Sequence, residues 1–297
     1  MCAQTASEVE VREIVLEIAC DGIKLPGIVT EPANAPIGAD IAMLIIVGGP
    51  QYRAGSHRQF VQLARAVARE GLTVLRFDYR GMGDADGAMR SFEDAGPDVH
   101  AAIDALLRYA PHVRGVILWG LCDAASLALM RGVAHPAVRG VALANPWVRS
   151  DETLAAVTVK HYYGSRLLQK DLWYKVFSGR FDFRESLRSL WSNVAQALPS
   201  RRGRRSSDAG LSFQTRMAHG LAAFSGPVLL IRSGDDLTAR EFVEYTATAP
   251  EWAGLLDAAR VSHVAIPSAD HTFSMRSWRS ETEQQTCAWI RANFITT

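Results

Sequence analysis

The sequence predicts an α/β fold: a mostly parallel, eight-stranded sheet covered by helices on both faces, with a helical lid insertion. Three observations predict it. Short apolar, β-branched runs alternate with stretches of helical periodicity along most of the chain. The central runs are apolar at nearly every position, as in parallel strands covered on both faces. Between residues 150 and 225 the alternation stops.

The expected strands follow in chain order. Val9–Ala19 and Ile23–Thr30 flank Cys20-Asp21-Gly22 and form an antiparallel pair at one edge. Ile41–Val47, Thr73–Phe77, Gly115–Trp119, Gly140–Ala144, Val228–Arg232 and Val261–Ile266 are short runs suited to a parallel sheet. Between them, Phe60, Leu63, Ala64 and Val67 recur at helical spacing, as do Val99, Ile103, Leu106 and Leu107. Cys287, Ile290 and Phe294 share one face of a final helix. These elements assign residues 1–149 and 226–297 to the core. Residues 150–225, rich in Arg, Trp, Tyr and Ser, are expected as a lid over the carboxyl ends of the strands, where open α/β sheets bind ligands.

Composition narrows the function classes. The chain has 297 residues and 48% hydrophobic content, enough for one large core. Its formal net charge of +1 calls for neither a nucleic-acid partner nor an anionic membrane surface. The basic run Arg201-Arg202-Gly203-Arg204-Arg205 is short and reads as a solvated loop. Cys2, Cys20, Cys122 and Cys287 share no short spacing, so they predict free thiols in a reducing compartment rather than a zinc site or a CxxC pair. The first residues, MCAQTASEVEVREI, lack the apolar core of a signal peptide, and no run approaches the ~20 apolar residues of a membrane span. The expectation is a cytoplasmic protein acting on a small molecule, with no cofactor or metal. The sequence does not specify an oligomeric state.

The chemistry centres on GVILWGLCDAASLALM, residues 115–130. An apolar strand meets Gly120, then Leu121, Cys122 and Asp123, and small residues open a helix. This is the glycine–x–nucleophile–x–small pattern of a nucleophile elbow, in which small residues let strand and helix approach closely. Cys122 would stand at a helix N-terminus, whose partial positive charge favours an anion. Its bland alternative is an inert buried thiol. Two further loops supply partners. Asp235 and Asp236 follow the seventh strand, and His271 follows the eighth, so nucleophile, acid and base occur in the order of a Ser-His-Asp-type triad on a parallel sheet. His271 would take the thiol proton, and a carboxylate would orient the imidazole. Asp236 is preferred for that role, Asp235 being assigned to capping the next helix. Asp151 is a third option.

An oxyanion needs two donors. The Asp123 amide is one. The loop IIVGGPQYRAGSHR, after the third strand, offers the other at Gly49, since Pro50 has no N–H; Gln51 is the fallback. Arg53, His57 and Arg58 follow and could meet an anion, though helix-start surface groups are the simpler expectation. RFDYRGMGDADG, residues 76–87, is expected to be structural, with Asp78 and Arg80 as a polar anchor.

Taken together, GGPQYR, DYRGMGDADG, GLCDAAS, SGDDLTAREF and DHTF resemble, in order, the loops of the α/β-hydrolase superfamily. More narrowly they resemble the exosortase A system-associated hydrolase type 1 group, which is associated with bacterial exopolysaccharide and PEP-CTERM sorting gene clusters. The resemblance implies the α/β-hydrolase fold and leaves the substrate open. The thiol in place of serine departs from the usual pattern, although dienelactone hydrolases show that the fold can run with Cys, His and Asp. The leading expectation is an esterase- or thioesterase-type acyl hydrolase that forms an acyl-thioenzyme on Cys122, with a free or carrier-bound acyl substrate. A second is an acyltransferase using the same residues toward an amine, thiol or alcohol. A third is a non-catalytic binding protein in which Cys122 is inert. Trp173, Tyr174, Phe177 and Trp191 in the expected lid would line an apolar pocket or form the lid's own core.

Overall fold

A computed structural model describes residues 9–34, 39–49, 51–149 and 210–295. The chain divides into two compact units, Met1–Val148 with Leu211–Thr297, and Arg149–Gly210. Of the expected lid, residues 150–209 lie outside the described residues, and with them Asp151, Trp173, Tyr174, Phe177, Trp191 and the basic run 201–205; so does Cys2.

The first unit holds one eight-stranded sheet: β1 (Val11–Cys20), β2 (Ile23–Pro32), β3 (Ile41–Ile46), β4 (Thr73–Phe77), β5 (Gly115–Leu121), β6 (Val138–Ala144), β7 (Val228–Ser233) and β8 (Val261–Ile266). Their spatial order is β1-β2-β4-β3-β5-β6-β7-β8. β1 pairs antiparallel with β2, and β2 antiparallel with β4; every later pairing is parallel. The edge hairpin turns on Asp21 and Gly22, both at positive φ, 49° and 77°, as a tight two-residue turn requires. β5 runs two residues beyond its expected end, because Gly120 and Leu121 pair with Leu143 and Ala144 of β6. Gly120 therefore belongs to the strand and not to the turn.

Alternation along the strands sorts side chains onto two faces. Ala42, Leu44 and Ile46 of β3, with Val116 and Leu118 of β5, point into one apolar layer. That layer is completed by α2 (Gly96–Tyr109), α3 (Asp123–Met130), α4 (Phe213–Ala223) and Phe242 of α5 (Leu237–Thr248). Met43 and Ile45, with Ile117 and Trp119, face α1 (Gln59–Arg69) and α6 (Arg276–Phe294). Trp119 is 1% exposed and meets Phe60 of α1 edge-to-face at 5.8 Å. α4 lies within the span expected as lid, yet it is a helix of the first unit and packs on α3. Its start is capped by Ser212, whose hydroxyl accepts from the Thr215 amide.

The loop after β4 fastens the hairpin to the helices. Asp98 of α2 is fully buried and accepts from the Arg80 amide at 3.0 Å and Arg80 Nε at 2.8 Å. Arg80 Nη2 also donates to Cys20 Sγ at the end of β1 and to Asp21 in the turn, both at 3.0 Å. Asp78, equally buried, accepts from the Arg53 and Asp84 amides and from the Arg53 guanidinium. Both residues of the expected polar anchor are thus paired. No described helix is long and apolar enough to cross a membrane.

Removing one partner of a buried pair strands the other charge. Asp98→Ala is expected to lower the unfolding free energy by about 3 kcal/mol, read as a fall in the urea midpoint without a change in slope. An unchanged midpoint would mean that the pair contributes nothing to holding the hairpin.

Candidate active site

The loops that follow β3, β4, β5, β7 and β8 all leave the sheet at the carboxyl ends of its strands, and the candidate residues sit there. The sharpest constraint is at Cys122. β5 ends at Leu121, α3 starts at Asp123, and the whole reversal falls on one residue with φ 63° and ψ −127°. A non-glycine residue rarely adopts this conformation, which costs on the order of 1–3 kcal/mol. Backbone hydrogen bonds hold it there. The Cys122 amide donates to Ala144 O at 2.9 Å, and its carbonyl accepts from the amides of Ala125 at 3.0 Å, Ser126 at 3.3 Å and Trp147 at 3.3 Å. Gly120 makes the reversal possible, since a Cβ there would lie 2.7 Å from the backbone of Ala124 and Ala125. The Cys122 side chain is half-buried, whereas Cys20 and Cys287 are buried. Burial pushes the Cys287 thiol up to about 12.

His271 lies in the loop after β8, between two anchors, Ala269 and Phe273, that are 0% and 1% exposed. Its Nδ1 is 2.9 Å from Asp236 Oδ2. The imidazole pKa is pushed up to about 10, first by the hydrogen bond with Asp236 and then by one with Cys122, with burial opposing both. Because Asp236 engages Nδ1, Nε2 is the nitrogen left for Cys122. The structure thus brings Cys122, His271 and Asp236 together.

Asp236 does two jobs. It is the N-cap of α5: Oδ1 accepts from the Thr238 amide and Oδ2 from the Ala239 amide, both at 3.1 Å. The cap expected from Asp235 therefore comes from Asp236. Asp235 points outward, 79% exposed, toward Arg240. A single backbone step separates the two, and only Asp236 turns inward, to the helix start and the imidazole.

Sequence reasoning missed a polar clamp behind His271. Asn145, after β6, is fully buried with φ 43°. Its Nδ2 donates to Ser233 Oγ at 2.8 Å and to His271 O at 3.1 Å, and its Oδ1 accepts from the Ser233 amide at 2.8 Å. Ser233 Oγ donates in turn to Asp270 O at 2.8 Å. The signal was available: ALANPW and LLIRSGDD each end an apolar strand with a polar residue that needs a buried partner.

The expected oxyanion loop is arranged differently from expectation. The Gly49 amide donates to Asp123 Oδ1 at 2.7 Å, and the Gln51 amide donates to Gly49 O at 2.8 Å. The Asp123 carboxyl is pushed up by burial, against the amides of Gly49, Ala124 and Asp123 and the charge of His271, which hold it down. Arg53 is tied to Asp78 and Asp84, while His57 and Arg58 are exposed in the turn before α1. Among the described residues no group of three or more His, Cys, Asp or Glu side chains could hold a metal ion.

Asn145→Ala removes the clamp while leaving the Cys122, His271 and Asp236 side chains intact. It is expected to cost about 2 kcal/mol of stability and to slow esters' acylation of Cys122. A variant that acylates at the parent rate would show that the His271 loop holds its place unaided.

The architecture has many relatives. An esterase of Pyrococcus furiosus, Pf2001, superposes with a TM-score of 0.62 at 16% identity, covering 97% of this chain and 94% of its own. Est1E of Butyrivibrio proteoclasticus, solved with ferulic acid, gives 0.60 at 16% identity, covering 94% and 98%. A dienelactone hydrolase of Anabaena variabilis gives 0.58 at 16% identity, covering 96% and 99%. At such identity they are alike in fold alone. Among curated proteins, none matches this chain. The model of the alpha/beta hydrolase family matches residues 44–283, from β3 through the elbow to α6, and the chain belongs to that family.

Proposed function

We propose that this alpha/beta hydrolase is an esterase- or thioesterase-type acyl hydrolase in which Cys122 is the nucleophile, His271 the general base and acid, and Asp236 the residue that orients the imidazole. The observation that carries this reading is the imidazole between two groups: His271 Nδ1 is hydrogen-bonded to Asp236, the Cys122 thiol also raises the imidazole pKa, and Cys122 stands at the apex of a strained strand-to-helix turn. The thiol proton passes to His271. The sulfur then attacks an acyl carbonyl, the leaving group takes the proton back from His271, and water, activated by the same imidazole, releases the acid from the thioester. Asp236, held by two helix amides, keeps Nδ1 occupied so that Nε2 faces the reaction.

The thiol also supports a second reading, acyl transfer, because a thioester passes its acyl group to amines and thiols as well as to water. An open groove lined by Gln51, Tyr52, Met82, Asp84 and Met89, with Tyr52 and Met89 exposed, offers apolar surface to part of such a substrate beside one carboxylate. A lid confined to residues 150–210, a cytoplasmic location and a place in the exosortase-associated group rest on the sequence patterns and belong to the same proposal.

Brief exposure to a 4-nitrophenyl acyl ester, followed by intact-protein mass measurement, tests the reading. The parent should gain one acyl group. Cys122→Ala should gain none, and His271→Ala should acylate about 10²–10⁴-fold more slowly. An unlabelled, folded parent, or equal labelling of Cys122→Ala, rejects Cys122 as nucleophile. Product that forms only with an added amine, thiol or alcohol favours transfer over hydrolysis.

The raised His271 pKa also sets a stability window. The folded state binds the proton more tightly than the unfolded chain, whose value is 6.5. The stabilisation is thus fully present below pH 6.5 and is lost as pH rises toward about 10. The melting-temperature gap between the parent and His271→Gln should narrow across that interval. A constant gap would mean that the imidazolium is not favoured by folding.

A further inference from the structure

The Asp123 carboxyl takes up the Gly49 amide, the donor expected for an oxyanion, and has no role in the steps above. Its Oδ1 takes the Gly49 N–H at 2.7 Å. Its place is built rather than incidental: a Cβ at Gly48 would come under 3.0 Å from both Asp123 Oδ1 and the Leu121 carbonyl oxygen, so the glycine is what lets loop and carboxyl meet. Asp123 follows Cys122 in the chain, and the charge of His271 acts on it. The buried Tyr79 phenol is raised first by burial and then by the charges of Asp123, Asp98 and Cys122, so carboxyl and thiol both act on it.

A carboxylate there would repel the negative oxygen of a tetrahedral intermediate. It would also deny that oxygen the Gly49 amide. A carboxylic acid resolves both conflicts, because one oxygen can keep the Gly49 N–H while the other donates its O–H. We propose that Asp123 is a catalytic residue of the acyl-transfer step: its acid form relays the Gly49 hydrogen bond and donates O–H to the oxyanion that forms when Cys122 attacks. This rests on the reading of Cys122 as nucleophile.

The balance is simple. The thiol proton goes to His271, the sulfur pair forms the C–S bond, and the carbonyl π pair moves onto oxygen. That oxygen accepts a hydrogen bond from Asp123, which keeps its proton throughout. When the carbonyl reforms, the leaving-group bond breaks and His271 supplies the proton. The groups that act on Asp123 are His271 after β8 and the amides of Gly49, Ala124 and Asp123 itself; Asp123 in turn acts on Tyr79 after β4, and Cys122 precedes it on the elbow. Burial raises its titration, so the acid form persists above the ordinary carboxylate range. Neutral buried carboxylic acids serve as oxyanion donors elsewhere.

The test is the rate of Cys122 acylation by a 4-nitrophenyl ester against pH, in the parent, Asp123→Asn and Asp123→Ala, each with its melting temperature. The parent rate should contain a limb that falls as pH rises through the carboxyl's titration, well below any change near the His271 value. Asp123→Ala should lose the donor and acylate about 10²-fold more slowly at low pH. Asp123→Asn, a neutral donor of the same shape, should recover at least about tenfold over Ala and lack that limb. If Asn is no faster than Ala, or keeps the limb, Asp123 is not the donor. If both variants outrun the parent, the carboxyl obstructs the oxyanion site, and the proposal is overturned in that direction. No adduct on the folded parent at any pH instead rejects Cys122 as nucleophile, and this proposal with it.

Discussion

Everything at the carboxyl end of the sheet depends on the reversal at Cys122. A residue with a side chain is held at φ 63° between a fully buried strand and a helix that begins at the next position. No local preference would keep it there. What keeps it there is β6, whose last residue accepts the Cys122 amide, and the chain just beyond, where the Trp147 amide reaches the Cys122 carbonyl. Ser126, one turn into α3, donates its hydroxyl to Trp147 O at 2.6 Å and closes the same junction from the helix side. The strain is local, and the restraint comes from the parallel sheet.

The two apolar layers give that restraint its stiffness. Each central strand contributes alternate residues to both layers, so β5 cannot shift by one residue without exchanging Leu118 for Trp119 across the sheet. Asp236 and His271 are fixed by the same means at longer range. Asp236 is set by the start of α5, His271 by the burial of Ala269 and Phe273, and the two loops are joined behind the imidazole by Asn145 and Ser233. Catalytic-looking side chains on loops are therefore placed by strand ends and helix starts.

Periodicity made the sheet legible, because a strand covered on both faces must be apolar almost throughout. All eight strands were expected close to where they occur. The elbow was legible from its small residues, and Asp236 and His271 from their position after strong strands. What the sequence could not show was direction. Asp235 and Asp236 are chemically identical neighbours, and only the turn decides which faces inward and caps the helix. Asn145 and Ser233 each look like an ordinary loop residue until β6 and β7 lie side by side. Gly49 was read as a free donor because the partner of its amide, Asp123, is distant in sequence and meets it only through the β3–β5 pairing. Spacing reveals residue types and order; it does not reveal which hydrogen bonds compete for one amide.

The order of the strands has a consequence for the protein's biosynthesis. The thiol is carried by the fifth strand, while its carboxylate and imidazole partners follow the seventh and eighth, which form one edge of the sheet. A ribosome-bound chain that has released β5 already contains the cysteine but has neither partner. The nascent thiol therefore stays without these partners until β7 and β8 have emerged and docked. On the proposed reading of Cys122, the order of the strands delays its activation.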